Sequence, residues 1–256
     1  MRRLLSPTRA TAVAAAALTI LALVEGPLQV PLRSFLAQPP PDGYRYTRSE
    51  GADLLGGVGR YSVLVPFERE AWIGADGSGR LRVRYGAPAF FGARDRQEWS
   101  SQTTARETDE VYGPGGLSVV ALDKLPTEPD ALRKFLQAQL DDGASHPGEL
   151  LIAAAGYLRE TVPPATLSRA LLEVVLTTRG LHIEKVEAGA PALRFSVETG
   201  RPRLRFAIVL AADDGRLLQE ERVLLESSLD INAEPPVVVG WTRYLDQRIV
   251  ADLWGP

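Results

Sequence analysis

The stretch Arg203–Glu226, RLRFAIVLAADDGRLLQEERVLLE, decides the fold. Leu204, Phe206, Ile208 and Leu210 fall at every second position, so they share one face of a strand. Asp213-Asp214-Gly215 supplies turn chemistry, because aspartate bonds to its own backbone and glycine accepts positive φ. Arg216–Leu225 returns with branched and charged residues mixed. The unit reads as a β-hairpin.

Outward from the hairpin the pattern stays β-like. Leu181–Val186, Leu193–Val197 and Val237–Leu245 have strand content, with Gly200-Arg201-Pro202 as a turn. Towards the N-terminus, Leu167, Ala170, Leu171, Val174 and Val175 repeat with helical spacing, and Gly180 stands as the expected C′ residue. Before that helix, Pro164–Thr178, a Leu/Ala-rich helix is expected over Glu149–Glu160. Another shows Leu132, Phe135, Leu136 and Leu140 on one face, with Thr127 as N-cap, Pro129 in the first turn and Asp130 in the capping-box position. Further back, Tyr44/Tyr46, then Tyr61, Val63, Val65 and Phe67, then Leu81, Val83 and Tyr85 mark three strands. Gly51–Gly59 reads as a Gly-rich loop and Asp76-Gly77 as a turn. Gly86–Gly116 reads as one connection of about thirty residues, beyond the usual loop range and therefore functional or mobile.

Strands joined by tight turns, with helices inserted between two sets, give an α+β class. The expected architecture is a curved, half-barrel-like antiparallel sheet with about three helices on one face, preceded by an N-terminal transmembrane helix.

Arg2, Arg3 and Arg9 precede an unbroken low-polarity run, Ala10–Val24, whose fifteen residues span roughly 22 Å as a helix against a hydrocarbon core of about 30 Å. Continuation through Leu28 and snorkelling of Arg9 extend it. No good small-x-small cleavage site follows, so an uncleaved anchor carried by Ala10, Val13, Leu18, Ile20, Leu21, Leu23 and Val24 is expected. Secretion after cleavage is the alternative. The arginines place the N-terminus in the cytoplasm and the body outside the plasma membrane, as a single-pass protein. The expected division is 1–9 cytoplasmic, 10–28 anchor, 29–43 Pro-rich linker and 44–256 a single extracytoplasmic domain.

The net charge of −3 conceals an asymmetry: the first 37 residues carry +3, which leaves −6 for the rest. An acidic body argues against nucleic acid as partner. With no cysteine, disulfides and thiolate chemistry are excluded. Of the 29 basic residues only Lys124, Lys134 and Lys185 are lysines.

Catalytic patterns are scarce. His146 and His182 are the only histidines, which gives a His-based metal site or triad little support, and His182 reads as a polar residue on the outer face of a strand. No nucleophile elbow or phosphate loop is present, and no cofactor or metal is expected. Asp141-Asp142, Asp213-Asp214 and Glu220-Glu221 read as turn and surface residues, with an acidic hydrolytic pair as the alternative. The combs Arg80/Arg82/Arg84 and Arg201/Arg203/Arg205 read as a solvated sheet face paired with Glu68, Glu70, Glu220 and Glu221, or as an anion site. Trp72, Phe90, Phe91 and Trp99 are the candidate contacts for a ligand or partner, the last three because aromatic residues in a long loop often form a lid.

The segments LPTEPDALRKFL, YLRETVPPATLSRALLEVVLTTRGLHIEKVEAG, AADDGRLLQEERVLL and VVVGWTRYL, followed by IVADLWGP, occur in that order. The series resembles an uncharacterised actinobacterial family of membrane-anchored proteins, often encoded beside extracytoplasmic-function sigma factors. In that family a D-x-x-T-G-R-L-L hairpin is usual; here Asp214 replaces the threonine, and only nine residues precede Ala10. The front half is similar in element order to the half-barrel of lipoprotein carriers. These resemblances imply a non-enzymatic, membrane-anchored extracytoplasmic binding or sensor domain. Its partner would be a lipid or other apolar ligand, or a regulatory protein in envelope signalling. A secreted hydrolase and a purely structural envelope protein are the alternatives.

Overall fold

A computed structural model describes residues 43–57, 61–99, 106–117, 119, 122–140, 146–159, 163–229 and 231–254. The expected anchor and nearly all of the linker lie outside these residues, as does Asp141-Asp142. Among the described residues no helix is long and apolar enough to cross a membrane.

The hairpin forms as read. β8 (Leu204–Ala211) and β9 (Leu217–Leu224) pair antiparallel, and the turn closes with Gly215 N–H donating to the Ala211 carbonyl at 3.0 Å. Asp214 contributes its side chain to the turn, accepting from Arg216 N–H at 2.9 Å. Leu204, Phe206, Ile208 and Leu210 are all buried, but so are Ala207, Val209 and Ala211, so this strand is covered on both faces.

Around it the chain builds one antiparallel sheet. The remaining strands are β1 (Tyr44–Gly57), β2 (Tyr61–Ile73), β3 (Gly79–Tyr85), β4 (Ala89–Phe90), β5 (Glu107–Tyr112), β6 (His182–Glu187), β7 (Pro191–Thr199) and β10 (Val237–Val250). The order is β5-β3-β2-β1-β10-β9-β8-β7-β6, with β4 pairing off this path to β2. The sheet is open: β5 and β6 lie at opposite ends of that order. The long strands β1 and β10 join the N-terminal set to the C-terminal set, which is why both halves form one sheet.

The helices are α1 (Ala93–Trp99), α2 (Pro129–Ala138), α3 (Pro147–Arg159) and α4 (Ala165–Leu176). α2, α3 and α4 pack on one face of the second half. Leu132 and Leu136 of α2, Leu151 and Leu158 of α3 and Leu167, Leu171 and Val174 of α4 share a core with Phe195, Phe206, Ile208 and Leu210. Burying each such side chain stabilises the fold by roughly 1.5–3 kcal/mol, so this layer is the main apolar contribution. The α2 cap is Glu128, not Thr127, and makes no side-chain cap bond; Pro129 at N1 and Asp130 in the first turn carry the start of the helix. α4 ends at Leu176 with Thr177 as its C-cap, so Gly180, with φ of +87°, belongs to the following turn and is not C′ of the helix.

Two expected loops are structured. Gly51, Gly56 and Gly57 lie in β1, not in a loop. A Cβ on Gly51 would stand 2.3 Å from the Trp241 carbonyl oxygen and 2.6 Å from the Phe67 ring, so the missing side chain lets that ring lie on the strand. The expected thirty-residue loop contains β4, α1 and β5.

α1 is held by a buried polar circuit. Asp95 is wholly buried and accepts from Ser62 N–H at 2.9 Å and from the Asn232 amide at 3.1 and 3.2 Å. Ser62 Oγ in turn accepts from Asn232 N–H at 3.0 Å. Three segments distant in sequence thus meet at one carboxylate.

Candidate functional site

The four aromatic candidates do not form one site. Phe90 lies on β4 opposite Val63, whereas Trp72 is at the far end of β2 opposite Arg80 and Tyr46. Nine residues of strand separate these positions, about 30 Å. Phe90 packs under the Arg96 guanidinium at 5.4 Å, and Trp99 meets Tyr61 edge-on at 5.7 Å. Phe91 is partly buried beside them in sequence. Phe90 and Trp99 thereby help to seat α1 at the start of β2. Trp72, only 3% exposed, packs on Tyr46 at 5.1 Å and under Arg80 at 5.2 Å.

The strand register gathers a different set of residues on the face opposite the helices. Directly opposed residues share a face, and three rows run across five strands in the order β5, β3, β2, β1, β10. The first is Val111–Arg80–Trp72–Tyr46–Arg248. The second is Asp109–Arg82–Glu70–Arg48–Asp246, in which the sign of charge alternates at every step. The third is Glu107–Arg84–Glu68–Glu50–Arg243. Arg48, Glu68, Arg84, Arg243 and Arg248 are exposed.

The comb Arg80/Arg82/Arg84 is therefore a paired sheet face, as expected, but its main partners are on β5. Arg80 grips Asp109 with two bonds of 2.7 and 2.6 Å, Arg82 bonds Glu107 at 2.8 Å, and Arg84 bonds Glu107 at 3.2 Å. Glu70 stands 3.8 Å from Arg82. Arg80 holds the Asp109 carboxyl below its ordinary range, and Arg82 with Arg84 does the same for Glu107. Between the second and third rows is a cleft of about 270 Å³ lined by Arg48, Glu68, Glu70, Arg82 and Arg84. The second comb does not form: Arg201 lies in the turn, Arg203 bonds Glu198 at 3.4 Å, and Arg205 alone is in the strand.

On the helix face lies a buried polar group that periodicity did not reveal. Arg159, at the end of α3, reaches both oxygens of Glu220 at 2.8 and 2.9 Å, and Tyr244 donates to Glu220 at 3.4 Å. Beside it Arg222 bonds Asp53 at 2.8 Å. Burial pushes the Asp53 carboxyl up, against the opposing pull of Arg222. Arg159–Glu220 joins α3 to the sheet and Arg222–Asp53 ties β9 to β1 across β10; Gln247 adds a bond from β10 to the Leu158 carbonyl at 3.3 Å. Glu220 and Glu221, adjacent in sequence, point to opposite faces, and Glu221 is taken by Arg194 at 2.5 Å. Asp213-Asp214 closes the hairpin turn. Neither described doublet forms the paired carboxylates of a hydrolase.

His182 is exposed on β6 and meets Glu184 at 3.1 Å, while His146 accepts from Gly148 N–H at the start of α3. Among the described residues no group of three or more His, Cys, Asp or Glu could hold a metal ion.

Two tyrosine hydroxyls carry a titration signature, Tyr46 in the first row and Tyr112 on the other face of β5. Burial, with the bond to Glu70, pushes the Tyr46 hydroxyl up to about 12; the bond to Glu110, with burial, does the same for Tyr112. Raised pKa values hold these protons in the folded state, so the associated stability is present below pH 10 and is lost as pH rises towards 12. In a spectrophotometric titration Tyr46 and Tyr112 will remain un-ionised at pH 11, and Tyr46→Phe will remove one of these late steps. A titration with every tyrosine ionised by pH 11 in folded protein would contradict the described bonds.

No family model matches the chain, and no curated protein matches it. Among solved structures the chain is similar to MucB in the crystal structure of MucB in complex with MucA(peri), at 16% identity and a TM-score of 0.29. The overlap takes in 81% of this chain and 51% of that one, so this chain spans about half the length of that neighbour. A TM-score of this size does not define a shared fold.

Proposed function

We propose that the chain is a non-enzymatic, membrane-anchored extracytoplasmic module that binds a regulatory protein in envelope signalling through the outer face of its sheet. One observation carries the reading: the helices pack on one face, while the opposite face presents three ordered rows of arginine, carboxylate and aromatic side chains across five strands. Alternating charge on a broad sheet recognises a surface of complementary charge and selects its register. A protein supplies such a surface and a lipid tail does not. The separation of Trp72 from Phe90, Phe91 and Trp99 favours a protein over an apolar ligand. The carboxylates of the described doublets are occupied by arginines or by the turn, which favours binding over hydrolysis. The anchor rests on the basic start and the run Ala10–Leu28, and the signalling context rests on the family resemblance of the hairpin.

Protease treatment of intact cells carrying a C-terminal tag will remove the tag and leave a membrane-bound stub; a protected body overturns the placement. Protein purified without detergent will release no stoichiometric lipid on solvent extraction. One lipid per chain would return the apolar-ligand reading.

A further inference from the structure

Ala251–Trp254 leaves β10 and returns across the sheet to the first row. The Trp254 ring lies 4.6 Å from the Arg80 guanidinium, and the Leu253 carbonyl accepts from Arg80 Nη1 at 3.2 Å. Asp109 holds the other edge of the same guanidinium through Nε and Nη2, so the fork is fixed while its face stays available to rings. Arg80 therefore touches two indoles, Trp72 beneath and Trp254 at the surface. The two are held unequally: Trp72 is 3% exposed and Trp254 71% exposed. One exposed cation–π contact and one hydrogen bond are individually weak in water. Under this thin cover the row is firmly built. Tyr46 is 2% exposed beneath Arg248, whose guanidinium is 5.6 Å from its ring, and Val111 extends the row with 57% of its surface free. The buried Trp72 Nε1–H has no acceptor among the described residues.

We infer that the row Val111–Arg80–Trp72–Tyr46–Arg248 is a docking site for an extended segment of a partner protein. That segment presents an aromatic ring preceded by a main-chain carbonyl, and Leu253–Trp254 is a tethered occupant that the partner replaces. The inference rests on the protein-binding reading above and names the place and chemistry of contact. Tryptophan and arginine at the centre of a patch are the residue types that dominate protein interfaces. The chain's own segment shows which chemistry the row accepts. A tethered occupant lowers the apparent affinity for a free competitor by the fraction of time it holds the site.

The test uses the full chain, the Trp254→Ala variant and the blocked peptide Ala-Asp-Leu-Trp. Indole N–H resonances of Trp72, Trp99, Trp241 and Trp254 give four reporters, assigned by single Trp→Phe changes. In Trp254→Ala protein the peptide will shift the Trp72 resonance in a saturable manner. In the unaltered chain at least tenfold more peptide will be needed. Adding Arg80→Ala, or Arg80→Gln if alanine disturbs folding, will abolish the shift, and the peptide Ala-Asp-Leu-Ala will produce none. No Trp72 shift in the Trp254→Ala protein, equal affinity in both proteins, or an equal effect of the alanine peptide overturns the inference. If the peptide fails while a partner still cross-links to the outer face, the docking chemistry falls and the protein-binding reading stands. If neither binds, both fall.

Discussion

Replacing Asp95 by alanine lowers the unfolding free energy by about 2–4 kcal/mol, the cost of leaving buried donors unpaired. The carboxylate is fully buried and accepts from the Ser62 backbone and twice from the Asn232 amide. Without it Ser62 N–H and the Asn232 side chain lose their partner where water is excluded. The change also frees α1 from β2, because Asp95 is the buried residue of that helix. Asp95→Asn keeps the size and one acceptor oxygen and should cost about half as much. Urea unfolding monitored by circular dichroism gives both values. Hydrogen exchange adds a spatial check, since Asp95→Ala should raise exchange in 89–99 and 229–233 before the core of α4 is affected. A loss under about 0.5 kcal/mol in Asp95→Ala, within the usual range for unremarkable surface changes, would mean that this carboxylate does not hold the three segments together.

The second large effect is at the hairpin turn. Gly215 has φ of +72°, and a Cβ there would stand 2.7 Å from the Ser168 carbonyl oxygen of α4. Gly215→Ala therefore combines left-handed strain of about 1–2 kcal/mol with displacement of the helix backbone. The expected total is about 2–4 kcal/mol, with the clash comparable to overpacking elsewhere. Ala at Asp213, exposed on the same turn, changes the cap without the clash and serves as the comparison. Should Gly215→Ala cost no more than Asp213→Ala, the turn and α4 would not be in the close contact described. Thermal unfolding resolves the difference.

These two sites mark where the sequence was legible and where it was not. Leu204, Phe206, Ile208 and Leu210 announced β8, and Leu167, Leu171 and Val174 announced α4, because period 2 and period 3.6 are local signals. β5 was hidden because Glu107–Tyr112 is acidic and lies in a polar run. Its signal was complementary: Glu107, Asp109 and Val111 at every second position answer Arg84, Arg82 and Arg80. An arginine comb on one strand asks for an acidic comb on the next. β1 was truncated for the opposite reason. Its glycines resemble a loop until the Phe67 ring lies against Gly51, a tertiary contact with no local trace. α1 has no apolar stripe and is positioned by one buried aspartate.

The candidate site followed the same division. Trp72 was named from sequence and does belong to the outer-face row, whereas Phe90, Phe91 and Trp99 were grouped with it by composition and are placed about 30 Å away by nine residues of β2. Tyr46, Arg248 and Trp254 joined Trp72 through register and chain return, which no linear spacing encodes. The ion pairs of Asp53 and Glu220 were likewise invisible, since their arginines come from β9 and α3.

The central claim is that partners meet the outer face of the sheet and not the helix layer. The cysteine-free sequence makes this directly measurable. Single-cysteine variants Glu68→Cys, on the third row, and Glu173→Cys, on the exposed side of α4, each carry a short photo-crosslinker in intact cells. The account predicts a discrete protein adduct from position 68 that is lost when Arg84 and Arg243 are changed to glutamate, and none from position 173. Adducts of equal yield from both positions, or from 173 alone, would contradict it.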